Sequence, residues 1–229
     1  MGKLYIIATP IGNLKDITLG ALETLKEVDL ILCEDTRVTK KLLEHYNIEK
    51  PVESYHQHSN FNKIEKIKEL LKQGKNLALV SDSGTPGISD PGNKLIGILA
   101  GESMSNLEII PIPGPSAIIS AAGISGFPMD KFVFMGFPPH KNKRKKFFKE
   151  VAEAKYPVLL YESPHRITKT LKELSEFGEF DIVVGRELTK KFETIYRGKI
   201  SEIISRIEPR GEFVIIINPA KGGASNHEK

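Results

Sequence analysis

The segment that decides the fold reads Val80-Ser81-Asp82-Ser83-Gly84-Thr85-Pro86-Gly87-Ile88-Ser89-Asp90-Pro91-Gly92. It follows the apolar run Leu77–Leu79, which predicts a buried strand that ends where glycines, prolines and aspartates begin. The glycines allow backbone to approach a bound molecule closely. Asp90 and Pro91 predict the N-cap and first residue of a following helix. Open α/β sheets bind ligands in such a loop, although one loop alone is also compatible with an elaborate turn.

The same arrangement recurs along the chain. In each case an apolar, strand-like run stops and polar, glycine or proline residues begin, at Ala8–Asn13, Cys33–Arg37, Pro111–Ala117, Tyr161–Arg166 and Gly185–Lys190. Several strands therefore carry unusual chemistry at the same end. This repetition predicts an α/β ligand cleft rather than a scaffold.

Strands and helices alternate, and the pattern changes near residue 114, which predicts two α/β domains. The boundaries are expected at residues 1–113, 114–220 and, for a disordered polar tail, 221–229. The first half is predicted to be parallel, whereas strand Glu193–Arg197 reads as a hairpin or mixed-sheet member. Predicted helices include Pro91–Gly101, Arg144–Ala154 and Pro164–Phe177.

Composition limits the classes of protein. The chain has 229 residues, a net charge of +4 and one cysteine, Cys33, which excludes an internal disulfide framework. The sequence shows no leader-like N-terminus and no apolar run of membrane-spanning length. We therefore expect a cytoplasmic protein without a membrane segment.

Several familiar catalytic signatures do not occur in the sequence. It contains no P-loop, no G-x-G-x-x-G after the first strand, no H-E-x-x-H and no G-x-S-x-G. His56 and His58 are two residues apart, with no acidic or cysteine ligand clustered around them, so we expect no metal site.

A basic segment runs from Pro138 to Lys149 and contains six cationic residues. They stand at the start of a predicted helix, where the helix dipole disfavours positive charge. A solvated helix start is the simpler explanation, but phosphate is the counter-charge that such a segment suits. The segment therefore favours contact with nucleic acid.

Taken together, these motifs resemble those of the tetrapyrrole methylase superfamily. Within it, the chain resembles the ribosomal small-subunit methyltransferase I family over roughly Leu4 to Asn218. The matching motifs are Ala8–Leu14, Glu34–Arg37, Ser81–Gly92, Pro113–Ala117, Tyr161–Arg166, Arg186–Lys190 and Gly211–Phe213. Small departures include Ser83, where alanine is usual, and Gly20, where a larger residue is common.

The resemblance implies a homodimer of two α/β domains with a cofactor cleft between them, where S-adenosylmethionine would bind. It also implies that the protein methylates the ribose 2′-hydroxyl of a decoding-region cytidine in 16S rRNA. The rRNA would be free or in the assembled small subunit. Residues implied to bind the donor are Pro10, Asp82, Gly84, Ile88, Ser116, Ala117, Tyr161, Arg186, Glu187, Leu188 and Glu212. Residues expected to contact RNA are Arg37, Lys141, Lys143, Arg144, Lys145, Lys146 and Arg166, since guanidinium and ammonium groups pair with phosphate.

An alcohol is a poor nucleophile at neutral pH, so a group that takes the hydroxyl proton is expected. The candidates are Asp35, Glu162, His165 and Glu187. Each has a structural alternative: Asp35 as a helix cap, His165 as a solvated first-turn residue, and Glu187 as the partner of an arginine. Two other functions stay open at this point, C-methylation of a tetrapyrrole precursor and a non-catalytic RNA-binding assembly factor.

Overall fold

The computed structural model describes residues 1–56, 61–101, 104 and 106–219. The chain divides into two compact units, Met1–Ser116 and Ala117–Lys229. The division falls three residues after the boundary expected from the sequence. The predicted tail, 221–229, lies outside the described residues.

The first unit contains a five-stranded sheet in which every strand pair is parallel. Its order is β3-β2-β4-β1-β5. The strands are β1 (Lys3–Ile7), β2 (Leu30–Cys33), β3 (Val52–Ser54), β4 (Leu77–Val80) and β5 (Glu108–Ile112). Because β4 lies between β1 and β2, the loops that follow β1 and β4 leave neighbouring strands. The all-apolar β4 is buried at each of its residues, as expected for a central parallel strand.

Helices cover this sheet with apolar faces. They are α1 (Leu19–Glu27), α2 (Thr36–His45), α3 (Phe61–Lys72) and α4 (Asn93–Leu99), with a short 3-10 helix at Leu14–Asp16. Helix α3 is an example of an amphipathic helix, because Ile64, Ile67 and Leu71 are buried at helical spacing and charged residues lie between them.

The predicted start of α4 was wrong. The N-cap is Gly92 rather than Asp90, and the helix begins at Asn93. Gly92 has φ +147°, and a Cβ there would lie 3.2 Å from the Leu79 side chain and 3.3 Å from the Gly87 nitrogen. The chain therefore continues as bends and a turn through Pro91, and the helix begins only after Gly92, which packs closely on the Leu79 side chain of β4.

The second unit contains a mixed sheet of order β6-β7-β10-β8-β9. Its strands are β6 (Val133–Phe134), β7 (Val158–Glu162), β8 (Asp181–Arg186), β9 (Thr194–Lys199) and β10 (Phe213–Asn218). Strand β10 runs antiparallel between β7 and β8, and β8 and β9 form the expected antiparallel hairpin. The two α/β units confirm the predicted fold class.

The helices of the second unit are α5 (Ala117–Ile124), α6 (Arg144–Ala152), α7 (Ile167–Ser175) and α8 (Ile200–Arg206). The prediction that α7 begins at Pro164 was wrong. Residue Arg166 is its N-cap, with a non-helical φ of −120°. Residues 164–166 form a turn before the helix. The Ser163 carbonyl closes it by accepting hydrogen bonds from the Arg166 and Ile167 nitrogens at 3.1 and 3.0 Å.

Candidate functional site

The carboxyl edge of the first sheet, where its parallel strands end, joins the loops after β1 and β4. Thr9 and Gly84 exchange backbone hydrogen bonds of 2.9 and 3.0 Å. The Thr9 hydroxyl also donates to the Ser81 carbonyl at 3.0 Å. Gly84 is buried and has φ +79°, a conformation that glycine adopts without strain. These contacts hold the most distinctive loop of the sequence in one shape.

The predicted donor residues of this unit lie along the same edge. Pro10 and Gly84 are buried, Asp82 is half-buried, and Ile88 presents an apolar side chain that is 46% exposed. Ser116 ends the segment that follows β5. The edge thus offers glycine backbone, one carboxylate and one exposed apolar side chain.

Asp35 connects this edge to α2. Its backbone nitrogen donates to the Asp82 carboxylate at 3.0 Å, and its own carboxylate caps α2 by accepting from the Arg37 nitrogen at 2.8 Å. The Arg37 guanidinium pairs with the same carboxylate at 2.6 Å. The Arg37 side chain, followed by the capping hydrogen bond, lowers the pKa of Asp35 to about 2. Asp35 is therefore a weak proton acceptor, in contrast to the sequence-based hypothesis.

Glu34 is a carboxylate that the sequence reasoning passed over. It directly follows β2 and is half-buried. Burial, and then the charge of Asp82, raises its pKa above the ordinary glutamate value. The motif Glu34–Arg37 is visible in the sequence, but nothing in it shows which of its two carboxylates, Glu34 or Asp35, has the higher pKa.

In the second unit, antiparallel pairing brings separate motifs to one edge. Phe213, the first residue of β10, is in register with Glu162 of β7 and with Arg186 of β8. The preceding Glu212 consequently lies beside the ends of both strands. We call this the Glu162 edge. It gathers the predicted donor residues Tyr161, Arg186, Glu187, Leu188 and Glu212.

The side chains of two of these predicted donor-binding residues are buried and make contacts within the protein. Leu188 is buried, and the buried Arg186 donates from Nε to the Arg210 carbonyl at 2.7 Å. Its Nη1 also lies 2.8 Å from the Glu208 carboxylate. A ligand at this edge would therefore meet the backbone of these two residues rather than their side chains.

Glu187 is held by short contacts on the Glu162 edge. Its backbone is left-handed, with φ +51°, and its carboxylate accepts from the Glu212 nitrogen at 2.9 Å and from Lys190 Nζ at 2.9 Å. Burial raises the pKa of Glu187, but the hydrogen bonds from Glu212 and Lys190 outweigh burial and the pKa is lowered. Glu187 therefore does pair with a cation, as its structural alternative predicted, but the partner is Lys190 rather than an arginine.

Glu162 belongs to a buried polar network. Its side chain is fully buried and lies 2.7 Å from Arg166 Nη2, while it accepts a 2.6 Å hydrogen bond from the Thr170 hydroxyl. Arg144 donates to that hydroxyl at 2.8 Å and to the Glu173 carboxylate at 2.6 Å. Because both Glu162 oxygens are engaged inside the protein, the hypothesis that Glu162 receives the substrate proton is not supported by its geometry.

The two arginines of this network also hold the start of the basic segment. Arg166 Nη1 donates to the Pro138 carbonyl at 2.9 Å, and Arg144 Nη1 donates to the Pro139 carbonyl at 2.7 Å. Arg144 is buried and Arg166 nearly so, with 15% of its side chain exposed. Both had been expected to contact RNA, and the structure instead gives both an internal role.

The lysines of the basic segment, by contrast, are all exposed: Lys141, Lys143, Lys145, Lys146 and Lys149. Helix α6 begins at Arg144, as predicted, with Lys143 as a left-handed N-cap of φ +67°. His165, in the turn before α7, is likewise exposed. The Arg37 side chain is 85% exposed although it is paired with Asp35.

The described part of the chain shows neither a metal-binding cluster nor a helix suited to span a membrane. Residues 1–56, 61–101, 104 and 106–219 hold no group of three or more His, Cys, Asp or Glu side chains that could bind a metal ion. His58, one of the two closely spaced histidines, lies outside them. None of the helices that the structure describes has the length and hydropathy needed to cross a membrane.

Comparison with known proteins gives concordant matches. The family model of the tetrapyrrole (corrin/porphyrin) methylases matches residues 3–204. A ribosomal RNA small subunit methyltransferase I of Thermotoga maritima is 45% identical over 95% of this chain and 99% of its own length. One of Synechocystis is 47% identical over 95% of this chain and 79% of its own length.

A solved structure supports the fold. The methyltransferase CobJ superposes with a TM-score of 0.71 over 96% of this chain and 95% of its own, at 20% sequence identity. At this level of identity the likeness concerns the fold alone.

Proposed function

Since this chain belongs to the tetrapyrrole (corrin/porphyrin) methylase family, we propose that it methylates ribosomal RNA of the small subunit. The specific target is the ribose 2′-oxygen of a cytidine in the decoding region. The observation that carries the proposal is the 45% identity, over nearly the full length of both chains, to a protein named ribosomal RNA small subunit methyltransferase I.

S-adenosylmethionine is the methyl donor. When bound, it supplies a methyl group already activated on a sulfonium. The first unit's carboxyl edge fits such a molecule, because Ile88 offers an apolar surface, Asp82 a carboxylate for polar groups, and Gly84 backbone without a Cβ. Pro10 and Ser116 flank these residues. On the second unit, we assign donor contacts to Ala117, Tyr161 and Glu212 and to the backbone of Arg186, Glu187 and Leu188.

The exposed lysines provide the contact with RNA. Lys141, Lys143, Lys145 and Lys146 carry charge at a helix N-terminus, where it lowers helix stability. Phosphate groups compensate this charge when RNA binds. Arg37, whose guanidinium is exposed, adds a further contact, whereas Arg144 and Arg166 hold the backbone from which the lysines project.

The protein's own task in the reaction is to orient the 2′-oxygen and accept its proton. Three of the four candidate acceptors, Asp35, Glu162 and Glu187, have carboxylates held by cations. We assign the role to His165, because its exposed imidazole is the usual general base of enzymes. Glu34, whose pKa is raised, is the second candidate.

The test is methyl transfer from labelled S-adenosylmethionine, with three substrates in parallel. They are undermethylated small ribosomal subunits, free 16S rRNA and a tetrapyrrole precursor. Label in RNA supports the proposal and shows which form of the RNA is used. Label in the tetrapyrrole alone would contradict RNA methylation and indicate C-methylation of a tetrapyrrole precursor instead.

A non-catalytic assembly factor would bind RNA but transfer no label, so calorimetry with S-adenosylmethionine accompanies the assay. Heat of donor binding together with transfer excludes such a factor. The homodimer and the cytoplasmic location stay predictions, and light scattering on the purified protein tests the first.

A further inference from the structure

The segment from Glu187 to Glu193, which joins β8 to β9, presents an aromatic side chain to solvent. Phe192 is 64% exposed. The neighbouring Lys191 is also exposed, and its ammonium lies 5.5 Å from the centroid of the Phe192 ring. An aromatic ring and a lysine thus stand together at the tip of this connection.

The connection is held firmly. Thr189 has a left-handed backbone of φ +66°, and its nitrogen donates to the Glu193 carboxylate at 2.6 Å. Lys190 Nζ bridges Glu187 and Glu212 at 2.9 and 2.7 Å. Left-handed non-glycine residues are costly and cluster at functional sites, and Glu187 and Thr189 are both of this kind.

A single exposed aromatic residue is common on protein surfaces. Phe192 differs because its loop is fixed by charged contacts on both sides and because a cation stands over its ring. The same connection begins at the Glu162 edge, where the predicted donor residues Glu187 and Glu212 lie. A ring presented in this way has the features of a stacking platform for a nucleobase, with the lysine placed to meet a phosphate.

We propose that Phe192 stacks on an unpaired base of the RNA substrate and that Lys191 contacts the adjoining phosphate. The inference rests on the proposed function, because it assumes an RNA substrate. An RNA base is favoured over a protein partner because one ring beside the ammonium of Lys191 offers little apolar area, whereas every base has a π-face.

The chain contains no tryptophan, which permits a direct optical test. In Phe192→Trp the introduced indole is the sole tryptophan, and stacking on a base quenches its emission. The matched control is Phe61→Trp, because Phe61 is 73% exposed on α3 of the first unit. Titration with oligocytidylate, and then with undermethylated small subunits, should quench the emission at position 192 and leave that at position 61 unchanged. Equal responses at the two positions would overturn the inference.

Substitution distinguishes stacking from apolar packing. Phe192→Ala and Phe192→Leu should each weaken RNA binding about tenfold, whereas Phe192→Tyr should retain it. Affinity for S-adenosylmethionine should stay the same in all three. Wild-type RNA affinity in Phe192→Leu or Phe192→Ala would overturn the stacking role while leaving the proposed function intact. If the wild-type protein itself neither binds nor methylates RNA, the proposed function fails, and this inference with it.

Discussion

The carboxyl edge of the first sheet and the Glu162 edge of the second differ in how they are built. The first is made mainly of backbone, with Thr9 and Gly84 joined by an antiparallel bridge between the loops that follow β1 and β4. The second is made of charged side chains, with Glu162 buried between Arg166 and Thr170 and Glu187 held by Lys190. One edge is shaped by glycine conformation and the other by ion pairs.

The difference shows where substitution should act. A change in a glycine of the first edge alters the shape of a loop, and its main consequence is on ligand affinity. A change in a buried charge of the second edge leaves its partner unpaired in the interior, and its main consequence is on stability.

Glu162→Gln should have the largest effect on stability. The substitution removes the buried charge that faces Arg166, and breaking a buried pair costs about 3–5 kcal/mol. Urea unfolding measures the loss in free energy of unfolding. The control is Glu153→Gln, in which an exposed pair with Lys149, 3.7 Å apart, is removed and about 0.5 kcal/mol or less should be lost. Equal losses in both variants would end the contrast between the two edges.

His165→Gln should lower kcat about 100-fold or more, because the proton acceptor is lost. Since the side chain is exposed, stability and donor affinity should stay close to those of the wild type. Single-turnover methyl transfer across pH measures the effect, with Glu34→Gln as the companion variant. A normal rate in His165→Gln together with a slow Glu34→Gln would move the acceptor from the second edge to the first.

Replacing Lys141, Lys145 and Lys146 together by alanine should weaken RNA binding and make it less dependent on salt. The slope of log affinity against log salt should fall by about 2–3, since each lost phosphate contact contributes roughly 0.9. Lys143 is left in place because its left-handed backbone disfavours alanine. The charge-matched control replaces Lys66, Lys68 and Lys72 on α3. An unchanged slope would remove the basic segment from the RNA interface.

Gly84→Ala should weaken binding of S-adenosylmethionine about tenfold, since a left-handed alanine costs about 1–2 kcal/mol. The cost is conformational, because the new Cβ would meet nothing closer than 3.7 Å. Calorimetry measures the affinity. In Gly20→Ala, within α1, the same change should raise helix stability and leave donor affinity unchanged. Full donor affinity in Gly84→Ala would contradict the role of this loop.

The smallest effect is expected from Asp35→Asn. In the wild type, the Arg37 contact lowers the pKa of Asp35 to about 2 in the folded state, below the ordinary value of about 3.9. The carboxylate's contribution to stability is therefore complete above about pH 4 and is lost as pH falls towards 2. Both Asp35→Asn and Arg37→Gln should flatten the fall in stability over this range, measured by urea unfolding. If both variants lost stability between pH 4 and pH 2 as the wild type does, the Asp35–Arg37 pair would make no contribution to stability.

Much of the fold follows from the sequence because apolar runs alternate with amphipathic segments. The positions of the functional loops follow too, since strand ends carry the unusual residues. The strand order of the first sheet does not follow from the sequence, because no local sequence pattern shows that β4 pairs with both β1 and β2. The starts of α4 and α7 were also misplaced, because a proline after Asp90 or Ser163 resembles a helix start while tertiary contacts delay the helix.

The roles within the basic segment were harder to separate. Arg144 is one cation among six, yet it is buried with Phe148 and Val151, which follow it on the same face of α6. That helical spacing was visible in the sequence and indicates burial. The network that occupies Arg144 was not visible, because Glu162 and Thr170 reach it only through the fold.

The most direct test of the proposed activity is the chemical identity of the methylated nucleoside. RNA methylated by the protein from labelled S-adenosylmethionine is digested to nucleosides and analysed by mass spectrometry. The account predicts label on the ribose of a cytidine, with the base unmodified. Label on a base, or on another nucleoside alone, would contradict ribose methylation of cytidine as the function of this chain.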